Sequence, residues 1–462
     1  MNRTPQPANP APDSAGLRPA SSARSTPLLR DRNIAWLMAG SAVSLLGDQF
    51  TLLALPWLVL HMTGDPLVLG TVLALLGLPR ALFILLGGAL VDSHSPQRVL
   101  MRSKQVCTVL LALLAALVLL DGLTLPRVYA LAFAIGLATA FSIPAASAML
   151  PQVVAPARLQ AANGLLMGLR QLSFFVGPLL AGGLIALCGS GPAADALNAV
   201  GAASAANVAG TVRDARGIGL AFALDALSYA LSAWTLSRVR TRPQPARSAV
   251  PVQPVLAAVA GGLRSFWRDT ALRNCLLYFA AVALLISGPV QVALPLLVSR
   301  LPGLGAVGFG GLMAVHGGAM LLGMALSGAL PRLRVVNLGI TLLAVDGLVG
   351  LLFMPMGQIR TLWQGAVLAA LIGVLGGYIQ VAVFTWIQRR VAPALLGRAM
   401  GVFMFIFMGL APLSAAVTGW LLRSVPLATV FLAAGGALVG LVAVTLASGA
   451  MRRVVDAAPV DD

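Results

Sequence analysis

The chain has 462 residues, of which 59% are hydrophobic and only 10% charged, and its mean hydropathy is +0.92. That composition excludes an ordinary soluble globular protein. The formal charge of +17 does not argue for a nucleic-acid partner, because the basic residues cluster between apolar runs, where they report membrane topology.

Residues 1–29 are rich in Pro, Ala, Ser and Arg and predict a disordered tail. Twelve apolar runs follow, at 34–61, 67–91, 99–120, 127–150, 161–188, 217–237, 271–299, 307–331, 335–356, 361–387, 396–422 and 425–450. Runs of about 20 residues suffice to cross the hydrocarbon core as helices. Unbroken hydrophobicity within each run excludes the alternating pattern of a membrane β-barrel. The expectation is an all-α polytopic membrane protein. Residues 189–216 read as a small-residue loop, 238–270 as an arginine-rich middle loop and 451–462 as a C-terminal tail.

Placing the N-terminus in the cytoplasm puts twenty-three basic residues on that side, Lys104 among them, and six on the other. The imbalance predicts both termini cytoplasmic in an inner, or plasma, membrane. The halves also repeat: ALPWLV at 54–59 returns as ALPLLV at 293–298, VAPARLQAANG from Val154 as VAPALLGRAMG from Val391, Arg32-Asn33 as Arg273-Asn274, and Gly177-Pro178 as Ala411-Pro412. Four matches at nearly one offset, in one order, predict a duplicated six-helix unit, residues 30–237 and 271–450, joined by the middle loop. Parallel repeats of this kind suit alternating access to a site between the halves.

Five ionisable residues fall well inside the runs: Asp48, Arg80, Arg170, Asp225 and Asp346. Charges at bilayer depth are costly and mark functional positions by default. Asp48 and Arg80 each lie about 20 Å of helix from the hairpin that joins their runs, so they are expected to meet. Ser41, Ser44, Asp48 and Thr51 make a polar stripe expected to face a cavity. Two readings of Asp48 stay open. It is a proton carrier, whose proton is displaced by an arginine or a cationic substrate, or a permanent ion-pair partner of Arg80. Asp225 joins this proton-coupling set, and both it and Asp346 can also be read as bonding only to neighbouring helices; His316 reads chiefly as a packing group, with a proton relay as the alternative, and Arg170 chiefly as a structurally paired cation, with an acid's counter-charge or an anionic substrate's holder as alternatives. Cys107, Cys188 and Cys275 lack metal or disulfide spacing and read as packing residues.

The run at 164–183, GLLMGLRQLSFFVGPLLAGG, holds Gly164, Gly168, Gly177, Gly182 and Gly183 around Pro178. These predict a kinked helix that other helices approach closely. Its spacing of Gly164, Ser173, Gly177, Pro178, Ala181 and Gly182 resembles the fifth-helix signature of major facilitator superfamily antiporters. GGALVDSHSPQRVL, with Gly88, Leu90, Asp92 and Arg98, resembles that family's motif between its second and third helices, though Ser93, Ser95, Pro96 and Gln97 replace a glycine and basic residues. SLLGDQFTLLALPWLVLHMTGD, LPRALFILLGGALVD and AFALDALSYALSA resemble the drug-efflux branch that contains macrolide exporters and the enterobactin exporter.

The resemblance implies twelve helices in two pseudo-symmetric six-helix halves, and Gly88, Asp92 and Arg98 acting as a conformational latch. It implies a cavity lined by the first, fourth, seventh and tenth helices, where Gln49, Phe50, Phe141, Ser142, Gln291, Tyr378, Gln380 and Phe384 are the polar or aromatic candidates for substrate contact. Apolar surface with few hydrogen-bonding groups suits a drug-like amphiphile. The expected activity is multidrug efflux by proton antiport, in a monomer whose partners are a small molecule, protons and the bilayer. Alternatives are a siderophore exporter, a lysolipid flippase, or a receptor or scaffold without flux. No nucleophile constellation, metal cluster or phosphate loop is legible, so neither an enzyme nor a cofactor is expected.

Overall fold

The computed structural model describes residues 28–93, 95–155, 158–188, 206–241, 269–301, 305–329, 337–391, 393–451 and 454; within these, the side chains of 84–93, 160, 186, 206–215, 393–402, 404 and 407 are excepted. The expectations for tail 1–29 beyond its last two residues, for most of the middle loop and for most of the C-terminal tail lie outside the described residues.

Among the described residues, twelve long helical elements carry the fold. They are α1 (Arg32–Thr63), α2 (Pro66–Ser93), α3 (Pro96–Leu119), α4 (Leu125–Val153), α5 (Leu159–Cys188), α6 (Ala206–Ser237), α7 (Thr270–Gly288, then a π-helical stretch Pro289–Ala293 and Leu294–Ser299), α8 (Gly305–Ala329), α9 (Leu338–Phe353), α10 (Leu362–Arg390), α11 (Pro393–Leu421) and α12 (Leu427–Ser448). Eleven contain segments long and apolar enough to span a membrane, and α11 contributes the shorter apolar stretch Met408–Leu421 among the described residues. This is a multi-pass membrane protein. One boundary differs clearly from expectation: α6 starts at Ala206, inside the segment read as a loop. Its first turns are rich in small residues and carry Arg213, Asp214 and Arg216, so they lack the apolar signature by which the span was recognised.

The duplication is visible in the bonds that close each half. Asp31 caps α1 by accepting from the Asn33 backbone N–H at 3.0 Å. Asp269 caps α7 in the same way, accepting from Ala271 and Leu272. The Asn33 amide donates to the Arg240 carbonyl beyond α6 at 2.8 Å and accepts from the Arg240 N–H at 2.9 Å. Its repeat mate Asn274 donates to the Ala450 carbonyl beyond α12 at 3.0 Å. Each half thus ties its first helix to the end of its sixth with the same residue type. The two ties lie on one face of the molecule, here called the terminal face; the opposite face is the distal face.

In lipid there is no water-driven attraction between apolar helices, so close packing by small residues holds the bundle together. The halves meet along two seams, α2 with α11 and α5 with α8. On the first seam, a Cβ at Gly70 would stand 2.6 Å from the Ala415 carbonyl, and one at Gly419 2.5 Å from the Pro66 carbonyl. On the second, a Cβ at Gly310 would stand 2.5 Å from the Pro178 carbonyl, and one at Gly182 2.9 Å from that of Ala306. Pro178 has no N–H to give to the Phe174 carbonyl, and that oxygen is covered instead by Gly317, whose Cβ would lie 2.5 Å away.

Among the described residues these contacts run from the distal end to the middle of the seams, where a Cβ at Gly77 would stand 2.1 Å from the Pro412 side chain. Towards the terminal face Gly164, Gly168 and Gly328 have no neighbouring atom within 4 Å of a notional Cβ. The expectation that all five glycines of α5 admit close helix packing is therefore corrected: Gly177 and Gly182 do so, whereas Gly164, Gly168 and Gly183 face open space. At the distal face Arg423, after α11, donates to Asp65, before α2, at 3.0 Å, so an ion pair joins the halves there.

Candidate functional site

The ionisable groups converge inside the N-terminal half, where α1 packs against α6 and α6 against α3. Gly47 makes the approach possible: a Cβ there would stand 2.6 Å from the Asp225 carboxylate. Asp48 is half-buried and accepts a hydrogen bond from the Tyr229 hydroxyl of α6 at 2.8 Å. Lys104 of α3 donates to the Ser44 hydroxyl at 3.1 Å and lies 5.3 Å from the centroid of the Tyr229 ring. A cation over an aromatic face is attracted by the ring quadrupole, more strongly when desolvated. One turn distal, Asp225 is almost fully enclosed, and its carboxylate accepts from the hydroxyls of Thr51 and of Ser228, the latter at 3.1 Å.

Four expectations change here. The polar stripe on α1 turns towards α3 and α6: Ser44 meets Lys104, Asp48 meets Tyr229, and Thr51 meets Asp225. Hydroxyls and carboxylates at this depth take partners from neighbouring helices because lipid offers none. Asp48 and Arg80 form no ion pair among the described residues; Arg80 directs Nε to the Thr139 hydroxyl of α4 at 3.1 Å. α2 packs closely on α4, which brings that hydroxyl within reach. Lys104 belongs to the bundle interior and not to the cytoplasmic loop charge. It lies eight residues into α3, about 12 Å of helix, and its being the sole lysine of the chain was the available signal. The fourth concerns Arg170. It is half-buried midway along α5 and makes no hydrogen bond or ion pair among the described residues, so the expected structural partner is absent.

The cavity candidates divide. Gln49 is buried against Gly177 of α5, whose notional Cβ would lie 2.5 Å from the Gln49 Cβ. Phe50 belongs to the apolar core. Ser142 shares a 2.6 Å hydrogen bond with Ser103, which donates in turn to the Ala138 carbonyl, so it stitches α4 to α3 and leaves the space between the halves. Phe141, Gln291 and Tyr378 are half-buried, and Phe384 packs edge-on to Phe403 with centroids 5.1 Å apart. Gln380 stands out, since its Oε1 is buried with no hydrogen-bond partner among the described residues. An unmatched buried acceptor is uncommon in a folded protein. Asp346 accepts from Tyr278 at 2.8 Å, both enclosed in the C-terminal half. A ring nitrogen of His316 lies 3.3 Å from the Ala369 carbonyl, in keeping with a packing role.

Of the motif that the family resemblance reads as a latch, Arg98 is exposed near the start of α3, while the Asp92 side chain and the burial of Gly88 lie outside what is described. Gln97, at a position where the family pattern is basic, donates to the carbonyls of Leu236 and Val239 at 3.1 and 2.8 Å. That residue fastens α3 to the end of α6 within one half.

Comparison with known proteins follows the architecture. The chain is similar to the multidrug efflux pump Tap of Mycobacterium tuberculosis, 28% identical over 426 residues that cover 90% of this chain and 93% of that protein. It is similar to macrolide efflux protein A of Streptococcus pyogenes, 28% identical over 145 residues, 31% of this chain and 36% of that protein. In fold it resembles a bacterial homologue of the human lysosomal transporter Spinster in an inward-facing, occupied conformation, with a TM-score of 0.65 at 14% identity, covering 93% of this chain and 97% of that one. The family model for the Major Facilitator Superfamily matches residues 37–416. On that match, and on two six-helix halves that repeat one another, the chain belongs to the Major Facilitator Superfamily.

Proposed function

We propose that this protein is a drug-efflux transporter that carries a hydrophobic or amphiphilic organic compound out of the cell in exchange for protons. The export reading is carried by similarity to a multidrug efflux pump along nine-tenths of the chain. The coupling reading rests on the Asp48 cluster, an acid at bilayer depth with one tyrosine hydrogen bond, partial exposure and a lysine beside it. In such a site a proton and a second positive group compete for one carboxylate, and occupancy by one disfavours the other.

In this reading the terminal face is cytoplasmic and the membrane is the inner, or plasma, membrane. The tight distal seams and the Asp65–Arg423 pair then correspond to a state shut to the outside. Rocking of the halves about the two glycine seams exposes the site alternately, as in transporters built from parallel repeats. Substrate lies between the halves, against Phe141, Gln291, Tyr378, Gln380 and Phe384, with the buried Gln380 acceptor awaiting a donor. Asp225 reports on Asp48 through α6, one turn beyond Tyr229. One chain supplies both halves, so a monomer suffices.

The test is proton movement in proteoliposomes on addition of macrolides, cationic dyes and catecholate siderophores. Compound-dependent proton flux supports the proposal. Compound transport without proton movement contradicts the antiport, and absence of transport for every compound contradicts the exporter reading.

A further inference from the structure

Arg170 is the feature that the coupling cluster leaves unexplained. A guanidinium carries five N–H donors and is never neutral in proteins. Held eleven residues from the start of α5, about 16 Å into the membrane, such a group normally takes a carboxylate or carbonyl from a neighbouring helix. Here it takes none among the described residues. The other two membrane-depth cations are engaged, Lys104 by Ser44 and Tyr229 and Arg80 by Thr139.

Its direction follows from its neighbours on α5. Gly177, two helical turns away on the same stripe, faces Gln49 of α1, while the Phe174 carbonyl faces Gly317 of α8. Arg170 therefore points between α1, in one half, and α8, in the other, and it acts electrostatically on Asp48. Nearer the terminal face the seam is open at Gly164 and Gly168, and Met167 and Phe174 flank Arg170 with exposed apolar surface. A free cation bordered by apolar side chains, on the open side of the seam, matches an amphiphile with a negative or acceptor-rich head. Charge balance agrees: Lys104, Arg80 and Arg170 all act on Asp48, against two carboxylates in the cluster, Asp48 and Asp225.

We propose that Arg170 is a substrate-recognition residue that receives an anionic head group, such as a carboxylate, sulfonate or phenolate, on an otherwise apolar cargo. A guanidinium can hold such a group through two parallel N–H···O bonds. The inference rests on the exporter reading only in taking the ligand to be cargo.

Two probes that differ by one charge test it: 8-anilinonaphthalene-1-sulfonate and the uncharged N-phenyl-1-naphthylamine. Binding of each to the full chain in nanodiscs is measured by calorimetry, with empty nanodiscs subtracted, and transport of each is followed separately in proteoliposomes. The wild type is expected to prefer the sulfonate about tenfold, the scale of one charge-assisted bond. Arg170→Gln is expected to bring the ratio to about one while leaving the uncharged probe unchanged. Arg170→Lys, which keeps charge and stem but loses the fork, falls between and guards against a misfolded Gln variant. An unchanged ratio in either variant, or an equal loss for both probes, overturns the proposal. Discrimination in binding without transport of any compound would sink the exporter reading and leave anion recognition standing; transport without discrimination does the reverse.

Discussion

In the N-terminal half Asp48 accepts from Tyr229 while Lys104 lies across the same tyrosine ring. In the C-terminal half Asp346 accepts from Tyr278 at the same 2.8 Å, but no cation acts on it among the described residues and it is fully enclosed. Both halves therefore use a tyrosine to hold a membrane-depth aspartate, and only one surrounds it with opposing charge and partial exposure. A carboxylate with a single enclosed neighbour has one stable arrangement, whereas a half-buried one beside both a tyrosine and a lysine has several. On the proposed antiport reading, that difference favours the N-terminal half for the working acid, with Asp346 as a fastener of α7 to α9.

The largest expected effect that would sharpen this contrast comes from Lys104. Lys104→Met removes the cation that lies over the Tyr229 ring beside Asp48, together with its bond to Ser44. Substrate-driven proton flux is expected to fall at least a hundredfold, with the protein still monodisperse on size-exclusion chromatography; flux near the wild-type rate would make Lys104 a packing residue.

Next in size is a pair of matched substitutions. Tyr229→Phe removes one hydrogen bond to a carboxylate, worth about 1.5–3 kcal/mol, and is expected to slow coupled transport about tenfold and to move its pH profile. Tyr278→Phe, the same change in the other half, is expected to lower the thermal midpoint while leaving flux within about twofold. Equal flux losses from the two would break the comparison.

A seam substitution follows. Gly310→Leu must displace the Pro178 carbonyl and the Gly182 backbone. It is expected to force the distal seam apart, and cysteine accessibility at the distal face should rise several-fold relative to Gly311→Leu, whose position has open space. Equal accessibility in the two variants would show that the seam tolerates the bulk.

The smallest effect concerns the distal ion pair. Partial burial pushes the Asp65 pKa up, but the Leu67 N–H and Arg423 outweigh it and hold the carboxyl below its ordinary value of 3.8. A depressed carboxylate contributes its stabilisation above the ordinary value and loses it as pH falls through the lowered one. The Asp65–Arg423 pair is thus constant from pH 5 to 8 and weakens only in stronger acid. Exposed pairs contribute about 0.2–1 kcal/mol, so Asp65→Asn should shift the population of the distal-open state by no more than about fivefold, as read by distance measurements between labelled α2 and α11. Asp269, held low by Arg390 against partial burial, follows the same sign but acts within one half and should leave that population unchanged.

Much of the fold was legible because lipid imposes it. Backbone groups must bond internally, so each apolar run became a helix, and the repeated motifs returned as the paired Asn33 and Asn274 ties. The start of α6 was not legible, since its first turns are polar and small. Depth along each helix was readable, but rotation was not: Asp48 and Arg80 lie on adjacent helices, yet Arg80 turns to α4 and Asp48 to α6. A periodic stripe tells which residues share a face, and only packing tells which neighbour that face meets. For the same reason Ser142 read as a cavity residue and proved to be a stitch between helices, while Lys104, counted as loop charge, proved to be interior.

The central claim is that Asp48 carries the coupled proton. The direct measurement is proton flux in proteoliposomes on addition of a transported compound, in the wild type, in Asp48→Asn and in Asp346→Asn. Compound-dependent proton flux is expected in the wild type and in Asp346→Asn, and none in Asp48→Asn, which keeps the Tyr229 acceptor but cannot exchange a proton. Undiminished flux in Asp48→Asn would contradict the claim.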